Sequence, residues 1–99
     1  MLNFNNNIGF DWDDGNDRKN DKHAVSMAEA EQLFFNDPLL LLEDAKHSQS
    51  ESRIHAIGKT DEGRMLHITF TLRKKNTLIR VISARDMHKK ERAYYEQTT

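Results

Sequence analysis

The stretch RMLHITFTLRKKNTLIRVISAR, residues 64–85, carries the pattern that decides the fold. Leu66, Ile68, Phe70 and Leu72 fall on one face of its first half, and His67, Thr69, Thr71 and Arg73 on the other. A period of two marks a strand with one buried side. Lys74-Lys75-Asn76 interrupts the alternation as a turn, and 77–85 (TLIRVISAR) resumes it with the densest β-branched run, which predicts the central strand. Upstream, 52–59 (SRIHAIGK) sets Ile54 and Ala56 against Arg53, His55 and Ile57, and Asp61-Glu62-Gly63 supplies the hairpin turn. Three strands joined so tightly predict an antiparallel meander.

Around that meander the sequence places helices. Ser26 with Glu29 reads as a capping box, and Val25 with Ala30 as its hydrophobic staple. Met27, Ala30, Leu33 and Phe34 continue a helical stripe that Asp37-Pro38 ends. Leu39–Leu42 reads as a further strand, and Phe10-Asp11-Trp12-Asp13 as a short one ending at Asp14-Gly15. Residues 16–23 read as a short polar helix that needs the rest of the fold to hold it. In the last helix Met87, Glu91, Tyr94 and Tyr95 share a face at i, i+4, i+7 and i+8. The expectation is therefore α+β: a single antiparallel β-sheet, a meander of three to five strands, with helices packed on one face. Residues 1–8 read as an Asn-rich tail and residues 9–97 as one domain.

Composition excludes several chemistries. The chain has 99 residues and no cysteine, so disulfides, thiolate zinc sites and thiol nucleophiles are ruled out. Its five histidines show no H-x-H or H-x-x-x-H spacing, and Asp11–Gly15 fails as a calcium loop because Gly15 is fifth and the twelfth residue is Lys22. No phosphate-binding glycine loop is present. No cofactor or metal is expected, and with no spanning apolar run or signal-like start the expected location is cytoplasmic.

The net charge of −1 hides a division. Residues 1–51 carry four Lys/Arg against eleven Asp/Glu, whereas residues 52–99 carry eleven against five. The basic half suits a polyanion or an acidic partner, and equally a wet basic surface. Arg73, Arg80 and Arg85 are the candidate phosphate clamp, because a guanidinium grips phosphate oxygens in a bidentate fork. Arg80 and Arg85 have opposite parity in a regular strand, so they share a face only if a bulge or the strand end intervenes. Glu91 needs a cation on an otherwise apolar helix face, and Arg85 is the nearest; Glu91 and Tyr95 are expected to buttress it. Glu51 and Arg53, two apart, form either an ion pair or an acid/base pair. Lys22-His23 is either a cationic helix end or part of the site. Trp12, Tyr94 and Tyr95 are expected in the core.

The order of these pieces resembles the BrnT-type toxins of bacterial type II toxin–antitoxin modules. The resemblance rests on Trp12-Asp13, Lys22-His23, Glu29-Ala30-Glu31, Glu51-x-Arg53, Ile57-Gly58, Gly63-Arg64 and Arg80-x-Ile82-Ser83-Ala84-Arg85, and runs from residue 10 to about residue 96. Ala24 stands where that family usually has Gly. The resemblance implies a RelE-like fold, an endoribonuclease that cuts RNA without metal, and growth arrest relieved by a BrnA-type antitoxin carrying the DNA-binding function. It brings Lys22, His23, Glu51 and Arg53 into the candidate site with Arg73, Arg80 and Arg85. The other reading is a non-catalytic module whose basic face holds an acidic protein or nucleic acid.

Overall fold

A computed structural model describes residues 8–12, 24–44 and 52–99. Five strands form one sheet: β1 (Gly9–Phe10), β2 (Leu40–Asp44), β3 (Arg53–Lys59), β4 (Met65–Arg73) and β5 (Leu78–Asp86). The helices are α1 (Met27–Leu33) and α2 (Lys89–Thr98). The strand order is β1-β5-β4-β3-β2, so β4 lies at the centre and the β-branched β5 beside it. The expected meander β3–β4–β5 is present, and β2 extends it antiparallel.

Three expectations about the sheet and its helices fail. The central strand is β4 and not the β-branched β5, which takes the place beside it. The sheet is mixed, because β1 runs parallel to β5 with Gly9 opposite Leu78 and Phe10 opposite Ile79. The helices lie on opposite faces. Helix α1 and the residues beside it, Val25, Ala30, Leu33 and Phe34, close over Ala56, Leu66, Ile68, Phe70, Ile79, Val81 and Ala84. Helix α2 instead meets the other face, where Met87 and Tyr95 bury Ile57 beside Leu40 and Met65. Ile57 and Leu40 are apolar positions within a largely polar face, and they give α2 its seat.

Local chemistry explains α1. The Ser26 hydroxyl accepts from the Glu29 amide at 3.1 Å while the Glu29 carboxylate accepts from the Ser26 amide at 3.0 Å, which satisfies two end donors at once. Val25 and Ala30 are both buried, as the staple requires. The helix sits close to the sheet because Gly58 lacks a side chain: a Cβ there would lie 3.1 Å from Leu33 Cγ. Phe34 packs edge-on to Phe70, with centroids 5.0 Å apart. Trp12 lies at the rim of this core and its indole N–H donates to Glu31 at 2.8 Å. Arg64 ties three segments, donating to Asp86, to the Glu29 carboxylate and to the Ala24 carbonyl. Tyr94 is 46% exposed, contrary to the expected core position, because α2 begins after Met87 and turns Tyr95 alone inward.

Candidate active site

The site is the sheet face opposite α1. On β4 that face carries His67, Thr69, Thr71 and Arg73, with His55 of β3 opposite Thr69. On β5 the pairing runs Arg85 with His67 and Ser83 with Thr69, and then slips, so that Val81 faces Phe70 and Arg80 faces Thr71. Ile82 is the extra residue. This β-bulge reverses the parity of β5, leaves Val81 and Ala84 both in the core, and returns Arg80 and Arg85 to one face. Measured along β4, their partners are four residues apart, roughly 13 Å.

Both arginines are held by carboxylates. Arg85 donates through two nitrogens to Glu91, at 2.8 and 3.0 Å, and also to the Asp86 carbonyl at 3.1 Å. Glu91 accepts from the His88 amide at 2.8 Å, so one side chain both begins α2 and aims Arg85. The Arg85 hydrogen bonds hold the Glu91 carboxyl down to about 2, against the cost of its partial burial. Arg80 pairs with Asp11 at 3.4 Å. Tyr95 is buried and donates its hydroxyl to the Pro38 carbonyl, fixing α2 over the sheet.

Beside Arg85 on this face lie two imidazoles, His67, its partner on β4, and His55 of β3, with centroids 4.9 Å apart. The His55 ring bridges three strands. Its Nε2 is 2.9 Å from Asp44 Oδ2 on β2 and its Nδ1 is 2.9 Å from Thr69 Oγ1 on β4. A carboxylate only accepts, so Nε2 carries the proton and Nδ1 of the neutral ring accepts from the Thr69 hydroxyl. His67 is more enclosed. Burial, reinforced by Arg85 and opposed by Glu91, depresses its pKa to about 4, so it is neutral at pH 7. Its Nδ1 has no hydrogen-bond partner among the described residues.

Of the residues expected from sequence, Arg53, Arg73, Arg80 and Arg85 share this face, with Arg53 and Arg73 toward the end away from α2. Glu91 and Tyr95 come from the helix that covers the other end. Lys22, His23 and Glu51 lie outside the described residues. Asp44, His55, His67 and Thr69 were not singled out. Their signal lies in the strand pattern: both histidines occupy polar-face positions of adjacent strands, although their spacing along the chain suits no metal site. Among the described residues no three of His, Asp and Glu are grouped to hold a metal ion.

A family described as the ribonuclease toxin BrnT of type II toxin–antitoxin systems matches residues 12–91. The chain belongs to this BrnT toxin family. No curated protein matches the chain. Membership makes it the toxin component of a type II module, with ribonuclease as the family activity and an antitoxin as its partner class. The match ends at Glu91, so the BrnT region takes in the whole polar face and the carboxylate that aims Arg85. No helix among the described residues is long and apolar enough to cross a membrane.

Proposed function

We propose that this BrnT-family chain is a metal-independent endoribonuclease of RelE-like fold that arrests growth in the cytoplasm. A BrnA-type antitoxin neutralises it, and DNA contact belongs to that antitoxin. The observation that carries this reading is the bulge at Ile82, which sets two carboxylate-aimed guanidinium groups on the face that bears the paired imidazoles. As a phosphodiester passes to its pentacovalent state the oxygens gain charge, and fixed donors stabilise that gain more than they stabilise bound substrate. The ribose 2′-hydroxyl attacks the adjacent phosphorus and the 5′-oxygen leaves, giving a cyclic phosphate and a free 5′-hydroxyl. The donor set favours this route, since the chain supplies no thiolate and no metal-spaced histidines.

The test is cleavage of a labelled RNA by the purified protein with and without EDTA. Equal rates and a cyclic-phosphate product are expected. Activity lost in chelator and restored by magnesium would overturn the mechanism. RNA that is bound but left intact would assign the basic face to holding alone.

A further inference from the structure

We infer that Asp44, His55 and Thr69 form a proton relay that activates the RNA 2′-hydroxyl, an assignment that rests on the endoribonuclease reading above. The arginines supply charge to the phosphate, but none of them can take a proton, since guanidinium stays protonated. A base is therefore required, and the described residues of the site offer few. Glu91 is engaged by Arg85 and the His88 amide. His67 is enclosed, with 13% of its side chain exposed, and is the cross-strand partner of Arg85. The His55 side chain is 28% exposed, so it is the more open ring of the two.

The geometry around His55 is that of an activated hydroxyl. Asp44 fixes the tautomer and stabilises the imidazolium that forms, and Nδ1 is thereby left as the basic nitrogen, 2.9 Å from the Thr69 oxygen. Thr69 is 8% exposed and forms the floor of the face; Arg85 stands diagonally across on β5. Such diagonal neighbours lie about 7–8 Å apart, within the reach of an arginine that grips a phosphate. A purely structural tie from β2 to β4 would not require an open ring next to a second imidazole whose Nδ1 has no partner among the described residues.

In the relay the 2′-hydroxyl donates its proton to Thr69 Oγ1 as Thr69 passes its own to His55 Nδ1. The O2′–P bond forms and the P–O5′ bond breaks. The leaving 5′-oxygen takes a proton from solvent water, and the imidazolium returns one to the hydroxide so produced. Thr69 is the catalytic residue, and His55 and Asp44 act through it.

The experiment is single-turnover cleavage of a short RNA by the purified protein and its variants, with folding followed by thermal melting. Thr69→Val and His55→Ala are expected to cleave about 100-fold or more slowly at saturating RNA, the usual share of general-base catalysis, with RNA affinity little changed. Thr69→Ser should recover much of the rate that Thr69→Val loses, and added imidazole should restore part of the His55→Ala rate. Thr69→Val cleaving within a few-fold of wild type would overturn the relay while leaving the endoribonuclease reading intact. Wild-type protein that binds RNA without cutting it would overturn both. Valine matches threonine in shape, so the Thr69 pair of variants decides the matter even if His55→Ala does not fold.

Discussion

Arg80 and Arg85 stand on one face of the sheet although they are five positions apart along the strand, because Ile82 has no partner on β4. Each guanidinium meets a carboxylate from another part of the chain, Asp11 for Arg80 and Glu91 for Arg85. The carboxylates aim the donors and leave their charge fixed before any substrate arrives, which is what preorganised stabilisation requires.

Arg80→Ala and Arg85→Ala should therefore each lose growth arrest while remaining folded and able to bind antitoxin. Removing one oriented donor costs about 2.7–4 kcal/mol of barrier, roughly a hundred- to a thousand-fold in rate. Lysine should rescue poorly, since a point charge lacks the fork. Glu91→Gln should be milder, because Arg85 keeps its charge and loses only part of its orientation. Toxicity and co-purification with antitoxin at matched soluble expression measure these effects; undiminished toxicity in both arginine variants would refute the clamp.

Deleting Ile82 tests the bulge itself. Without the unpaired residue the strand alternates regularly, and Arg80, Ser83 and Arg85 keep the polar face while Val81 and Ala84 stay in the core. The expected cost is about 0.5–3 kcal/mol, the ordinary range for a single change. A soluble and still toxic deletion variant, with a modest fall in melting temperature, is the expected readout. Loss of the soluble protein would show that Ile82 does more than shift the parity of the strand.

The pH dependence of stability should carry the mark of His67. Its native pKa of about 4 lies below the unfolded value of 6.5, so between those values the unfolded chain binds more protons. Stability is complete above pH 6.5 and falls as pH drops toward 4. Allowing for partial solvent screening, the loss is about 1–2 kcal/mol. Urea unfolding at pH 4.5 and pH 7 measures it, and His67→Gln should flatten the slope. An unchanged slope in that variant would remove His67 as the cause.

Ala24→Gly should stabilise the protein. Ala24 has φ of 55°, in the left-handed region that disfavours a Cβ, and its carbonyl is fixed by Arg64. Relief of that strain, offset by the larger entropy of glycine in the unfolded chain, leaves a gain of about 0.5–1 kcal/mol. A rise of a few degrees in melting temperature is expected, and a fall would show that the conformation is not strained.

Strands β3 to β5 and the start of α1 were legible because alternation and the Ser26–Glu29 pair are local signals. The direction of β1 and the separation of the helices were not. Period two says which side chains share a face, but not which neighbour a strand takes or which helix covers which side. Tyr94 was misplaced for a related reason: the helix begins two residues after Met87, so the heptad-like stripe through Met87 does not continue as one face. The bulge could be named only as a condition, since a single inserted residue leaves no compositional trace. Asp44, His55 and Thr69 come from three strands, and their meeting depends on cross-strand register that the sequence pattern does not contain.

Helix α2 closes the polar face at the Ile57 and Met65 end. A surface blocked at one end by a docked helix is directional. A flexible polymer laid along it toward that end must bend sharply at the blockage. A rigid duplex cannot make that turn within the width of one small sheet. Discrimination between unpaired strands and helices would thus arise from where the last helix docks, without any side chain that reads a base.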